Sequence, residues 1–239
     1  MRNETFATPE PPVVRVNLPS GDIRFETSAE ATETYVELSG PNEEEARIEQ
    51  RRNEIVIEIE KKKLFGFKGD YTLLVTAPFG TQVDAHTASA DVEGHGRFGD
   101  VEVDSASGDV SFAAVDGRVE VNTASGDVRV DFVGDSLRVN SASGDVEVGE
   151  AENDAKIRTA SGDIEIRSAA RGKIDIQSAS GDVEVGIRRG SKVFIDASSM
   201  SGDMSSELDV TDAPPPETDG PNIDFRARTM SGDVKVRRA

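Results

Sequence analysis

A chain of 239 residues with 46 acidic and 27 basic side chains has a formal net charge of −19, and such a balance disfavours nucleic acid as a partner, because phosphate binding needs a basic face. The absence of cysteine excludes disulfides and thiolate metal sites. The first residues lack the apolar core of a signal peptide, and no run approaches the roughly 18 apolar residues of a membrane span, so a cytoplasmic chain with no direct membrane insertion is expected.

Residues 1–12 are polar and contain Pro9, Pro11 and Pro12, which reads as a flexible lead. Val14, Val16 and Leu18 then alternate up to Pro19-Ser20-Gly21-Asp22, and Ile23 and Phe25 alternate away from it. Further strands are expected at 33–39, 46–51, 54–60 and 70–77, with Asn53 in a tight hairpin turn. Together, 13–80 read as an N-terminal β cap, non-solenoid or imperfectly coiled. Between its last two strands stand Lys61, Lys62, Lys63, Phe65, Phe67 and Lys68. They are either a hairpin tip folded back on the cap or a candidate interaction loop, since aromatic and basic side chains suit interfaces.

From residue 81 onward one phrase dominates. Thr87-Ala88-Ser89-Ala90-Asp91-Val92 introduces it, and Ser/Thr-Ala-Ser-Gly-Asp-Val/Ile follows with glycines at 108, 126, 144, 162 and 181, so the steps are 18, 18, 18 and 19. A fixed period of this length marks a solenoid. Each period holds two runs such as Val119-Glu120-Val121 and Val128-Arg129-Val130, whose period-2 alternation specifies strands with one buried face. The expected inward set runs from Val101 and Val103 through Val139 and Ile157 to Val183 and Val185. Glu102, Glu120, Arg129, Arg138, Glu147 and Arg158 are among those expected to face outward. One coil therefore contains two short strands and two corners, and coils stack about 4.8 Å apart. The fold expected is all-β: a single-chain β-solenoid, right-handed β-helix-like, at about 18 residues per coil, spanning 81–239 behind the cap. The phrase returns at Gly202 and Gly232 after longer intervals. A proline-rich acidic loop at 207–222 precedes the C-terminal closing strands.

The repeated corner supplies the principal site candidates. Gly108, Gly126, Gly144, Gly162 and Gly181 are expected at positive φ, and Asp109, Asp127, Asp145, Asp163 and Asp182 form a ladder in which each aspartate caps its own turn. A row of carboxylates could instead bind calcium, as β-rolls of similar period do, but those rolls use Gly-Gly-x-Gly-x-Asp at both turns. His86 and His95, the two histidines, are expected to point outward. No metal site, cofactor or catalytic residue is assigned, and a Ser-His nucleophile is disfavoured. A polysaccharide-cleaving enzyme would need sugar-stacking aromatics, whereas Tyr35 and Tyr71 both lie in the cap and tryptophan is absent.

At the repeated Ser-Gly-Asp-Val-x-Val phrase, with the Thr8-Pro9-Glu10-Pro11 opening and the closing Phe225-Arg226-Ala227-Arg228 to Val234-Lys235-Val236 segment, the chain resembles the bacterial putative-adhesin or toastrack family of β-strand-repeat proteins, in its soluble actinobacterial form. The resemblance implies a β-solenoid without established catalytic residues. Many relatives are membrane-anchored and linked to envelope-stress signalling, and no such anchor is expected here. The expected function is a non-enzymatic interaction or scaffold module with an unknown protein partner, with links to stress signalling. The alternatives are a calcium- or glycan-binding adhesin-like module and, third, a carbohydrate-active β-helix enzyme.

Overall fold

A valine or isoleucine at every second position gives each short strand one apolar edge, and the stack exists to bury these edges against each other. The computed structural model describes residues 1–59, 69–208 and 220–239. Two parallel ladders run its length. On one, the strand Val119–Ser125 lies between the second half of Thr81–Ser107 and Leu137–Ser143, so that Val103, Val121 and Val139 stand in line. On the other, Val128–Val133 lies between Val110–Val115 and Val146–Ala151, aligning Val110, Val128 and Val146. The interior between the ladders is fully enclosed at Val121, Val139, Ile157 and Ile176, each contributing about 1.5–3 kcal/mol of burial.

The described residues contain only one helical turn, Glu43–Glu45, and no helix long and apolar enough to cross a membrane. All the inward residues named above are buried. A further inward row at the second corner comprises Phe98, Val115, Val133, Ala151, Ala169 and Ile187. Its steps are 17 or 18 residues and it precedes variable turn residues, which hid its parity. At the thick end of this row, Phe98 and Phe112 meet edge to face with ring centres 5.2 Å apart. Gly94 makes room for them, since a Cβ there would come within 2.2 Å of the Phe112 ring.

Both ends depart from the sequence reading. The strand Val13–Ser28 is itself a coil, paired in parallel along Val13–Glu26 with Gln82–His95. On its other side it pairs in parallel with Glu54–Glu58 and with Tyr71–Pro78. The solenoid thus begins at residue 13, and the outermost coil is made by residues later in the chain. True capping comes from a change of direction. Arg47–Arg51 runs antiparallel on Glu54–Glu58, Glu33–Ser39 runs antiparallel on Tyr71–Pro78, and Arg2–Ala7 runs antiparallel on Glu33–Ser39. The lead expected to be loose is therefore a strand, held by main-chain bonds that proline positions 9, 11 and 12 leave untouched. In the hairpin before Glu54, Arg52 adopts the left-handed conformation at φ 56, while Asn53 donates from its amide to the Pro11 carbonyl at 2.9 Å.

The C-terminal end mirrors this exchange. Asn222–Ser231 and Val234–Arg238, expected to close the stack, instead lie one coil inside it. They pair with Gly172–Ser180 and Val183–Ile187 on one side, and with Lys192–Ser201 and Met204–Ser206 on the other. A coil formed earlier in the chain, 192–206, is outermost. The proline-rich stretch 209–219 lies outside the described residues.

A terminal segment usually frays first, but here Val13–Ser28 is bonded along both edges. Native-state hydrogen exchange should show the amides of Val16 and Ile23 protected as strongly as those of Val121 and Val130, with Glu49 on the capping hairpin exchanging faster. Faster exchange at Val16 than at Glu49 would contradict the inserted first coil.

Candidate functional site

The repeated corner is built by three cooperating residue types. Glycine comes first: Gly108, Gly126, Gly144, Gly162 and Gly181 have φ of 124, 126, 122, 121 and 118, a region L side chains rarely adopt. Space is as restrictive as conformation, because a Cβ on Gly144 would stand 2.2 Å from the carbonyl oxygen of Gly126. The hydroxyls come next. Ser105, Thr123, Ser141, Thr159, Ser178 and Thr229 each donate to the carbonyl two residues on, at 2.8–3.1 Å. Their protons are thereby committed to the turn.

The aspartates act differently from the expectation. Each caps the next coil instead of its own turn. The main-chain N–H of Asp109 donates to Asp91 Oδ1, and the same bond joins Asp127 to Asp109, Asp145 to Asp127, Asp163 to Asp145 and Asp182 to Asp163, all at 2.8–2.9 Å. The series continues from Asp233 to Asp182 and from Asp203 to Asp233, following the spatial order of coils and not the chain. A partial positive amide between successive carboxylates offsets the repulsion that an unbroken row of like charges would suffer. Among the described residues, no group of three or more His, Asp or Glu side chains converges on a possible metal position.

Beside the corner, on the ladder that carries Val121, an open groove of about 470 Å³ crosses four coils. Its floor is a row of polar side chains joined end to end. Asn140 Nδ2 donates to Asn122 Oδ1 at 2.9 Å, and Asn122 Nδ2 donates to Asp104 Oδ1 at 2.9 Å. His86 continues the row, with Nδ1 3.1 Å from Asp104 Oδ2 and Nε2 3.0 Å from the enclosed Oδ1 of Asp84. Asp84 also accepts from Arg15, and this bond is the first cause holding the Arg15 guanidinium above its ordinary range. The hydroxyls of Thr87, Ser105, Thr123 and Ser141 form the side wall; the last three present lone pairs outward because their protons point into the turns, while Thr87 accepts from the Ala90 amide. Sequence parity placed His86 outward, which it is. What parity missed was its position between two carboxylates, Asp84 two residues earlier and Asp104 one period later.

A model of the family described as Toastrack DUF4097 matches residues 27–237. The chain belongs to the toastrack family. Among solved structures, this toastrack chain is similar to a putative adhesin from Parabacteroides distasonis ATCC 8503, with 12% identity, a TM-score of 0.45, and coverage of 98% of this chain and 96% of that one. It is also similar to a putative adhesin from Bacteroides fragilis NCTC 9343 at 15% identity, TM-score 0.38 and the same two coverages. A putative lipid binding protein from Parabacteroides distasonis ATCC 8503 aligns at 10% identity and a TM-score of 0.40, again over 98% of this chain and 96% of that one. No curated protein matches the chain.

The sequence-derived candidates thus fall into two groups in the toastrack structure. The five glycines and five aspartates are brought together as one continuous corner. Lys61, Lys62, Lys63, Phe65, Phe67 and Lys68 lie outside the described residues.

Two measurements probe the corner. Gly144→Val should cost about 2–5 kcal/mol, combining left-handed strain with a clash against main chain, whereas the outward Glu147→Gln should cost less than about 0.5 kcal/mol. Asp127→Ala, which orphans the Asp145 amide, should cost about 1–2 kcal/mol, and Asp127→Asn, which keeps an acceptor, should recover most of it. Equal losses for the alanine and asparagine variants would show that charge, not the inter-coil bond, is what matters. Millimolar calcium should leave the unfolding midpoint nearly unchanged. A ligand at 100 times its dissociation constant would add about 2.7 kcal/mol, and a rise of that size would reassign the aspartate ladder as a metal site.

Proposed function

We propose that this toastrack chain is a non-enzymatic interaction module that works through its outward faces. The observation that carries the proposal is the in-register presentation of polar side chains over successive coils, ending in the groove beside His86, Asp104, Asn122 and Asn140. Such rows offer many weak, regularly spaced contacts on a rigid support, which suits recognition. Chemistry fits the same surface poorly. The hydroxyls nearest His86 spend their protons on turn carbonyls or, at Thr87, accept from the Ala90 amide at 2.8 Å. Both His86 nitrogens face carboxylates, so a hydroxyl nucleophile and its base are not assembled there. A place in stress signalling would follow from the family resemblance and would make the partner a signalling protein.

A second contact is proposed at Lys61–Lys68, from its composition alone. Its phenylalanines belong to the aromatic class enriched at interfaces, and its lysines supply local positive charge in an otherwise acidic chain. The test is affinity capture from native lysate with three baits: wild type, Phe65→Ser with Phe67→Ser, and Asn122→Ala with Asn140→Ala. Unfolding midpoints are matched first. A specific partner retained by wild type and lost from either variant supports the interaction reading and says which surface is used. Capture identical for all three rules out both surfaces, and turnover of an oligosaccharide panel by the purified chain would replace the reading with an enzyme.

A further inference from the structure

Most cations on the outward faces are ion-paired, and one group is not. On the ladder that carries Val130, arginines are matched to carboxylates. Arg129 meets Glu147 and Asp131, Arg167 meets the same two, and Arg237 meets Glu165 and Glu184. On the groove-bearing ladder Arg15, Lys173 and Arg226 are likewise matched, to Asp84, Asp175 and Asp224, but one central group is not. Arg138 and Lys156 are direct cross-coil partners, and Arg158 stands two residues beyond Lys156 on the same strand face, opposite Asn140. None of the three makes an ion pair or hydrogen bond with another described residue. Arg138 and Arg158 are exposed and Lys156 is half-buried. Like charges directly opposite each other on neighbouring strands are destabilising. Glu120 stands opposite Arg138 and Asp175 opposite Lys156 on the outer sides of the pair, yet neither carboxylate closes an ion pair with these cations, which leaves their donors turned to solvent.

The cluster also has a location. Asn140, at the end of the hydrogen-bonded amide row, is the residue directly opposite Arg158, so the groove runs straight into the unpaired cations. Two independent features therefore meet: a concave strip of amides and hydroxyl lone pairs, and an anion-seeking group of three at its mouth. Resting on the interaction reading above, we infer that this face binds an acidic oligosaccharide. Its carboxylate or sulfate sits among Arg138, Lys156 and Arg158, and its neutral hydroxyl groups lie over Asn122, Asn140, Thr123 and Ser141. The chemistry selects this class over others. Hydroxyl-rich chains can donate to the exposed lone pairs of the wall and both accept from and donate to amides. A nucleic acid would need more phosphate contacts and aromatic stacking. A peptide could not add as a strand, because Leu137–Ser143 and Ala155–Ser161 are already bonded along both edges.

The full chain is titrated with an array of acidic oligosaccharides bearing uronate, sialate or sulfate, each beside its neutral counterpart (methyl ester or desulfated form), and with inorganic sulfate. At least one acidic member should bind ten-fold or more tightly than both its neutral form and sulfate, with affinity falling as salt rises. Arg138→Gln with Arg158→Gln should lose at least ten-fold in that affinity while leaving the unfolding temperature nearly unchanged, since these exposed side chains make no ion pair. Asn122→Ala with Asn140→Ala should weaken the acidic and neutral forms alike. No binding by any array member overturns the inference, as does binding of sulfate equal to the best oligosaccharide, or binding unchanged in the arginine variant. If the array is silent but lysate capture still distinguishes the variants, only the ligand class fails and the interaction reading stands.

Discussion

At each Ser-Gly-Asp corner the main chain of one coil runs against the carbonyl of the coil before it, so closely that a Cβ on Gly126, Gly144 or Gly162 would stand 2.1–2.2 Å from that oxygen. This contact fixes the vertical alignment of the stack. With the corners superposed, each aspartate oxygen meets the amide one coil away, and the valines of successive strands lie directly over one another. The same alignment carries outward. Side chains at equivalent positions form straight rows, which is why an amide row such as Asn122 and Asn140 can hydrogen-bond along its length and why an uncompensated charge is felt by its neighbour.

The regular middle of the molecule was legible because its information is local. Alternating valines name the inward face, glycine names the corner, and an 18-residue spacing names the partner of every strand. The aspartate ladder was legible as a row but not as a bond. An aspartate after a turn glycine commonly serves its own turn, and only the close approach of coils puts the neighbouring amide nearer. The ends were misread because adjacency in the chain ceased to imply adjacency in space. The Gly21 corner pairs with Ala90, 69 residues away, and Asp233 donates to Asp182, 51 residues away. No pattern within either segment encodes such a partner. The strand Arg2–Ala7 was missed because its burial alternates only between exposed and half-buried, leaving little hydrophobic period to read.

Electrostatics divides the surface in a way composition hides. A net charge of −19 suggests uniform acidity, yet the pairing of charged rows varies along the stack. The exposed ion pairs around Glu147 and Glu184 contribute only a few tenths of a kcal/mol each, so their regularity has little to do with stability. Their effect is to neutralise one face locally. The other carries the histidine-carboxylate row in its early coils and Arg138, Lys156 and Arg158 farther along, with Asp175 beyond them.

The exchanged coils at the two ends have a consequence for how such a protein can change size. Residues 13–28, 54–58 and 71–78 form one interlocked terminal unit, and residues 192–206 and 222–238 form another. Each unit is closed upon itself and presents the interior with an ordinary coil, 81–98 on one side and 172–187 on the other. Between them the coils of 101–169 repeat in register, so adding or losing one repeat there disturbs neither lock. The molecule is an adjustable column between two fixed clasps. Each added repeat extends the outward faces by one row, so length and recognition surface can grow together while both termini remain tied in.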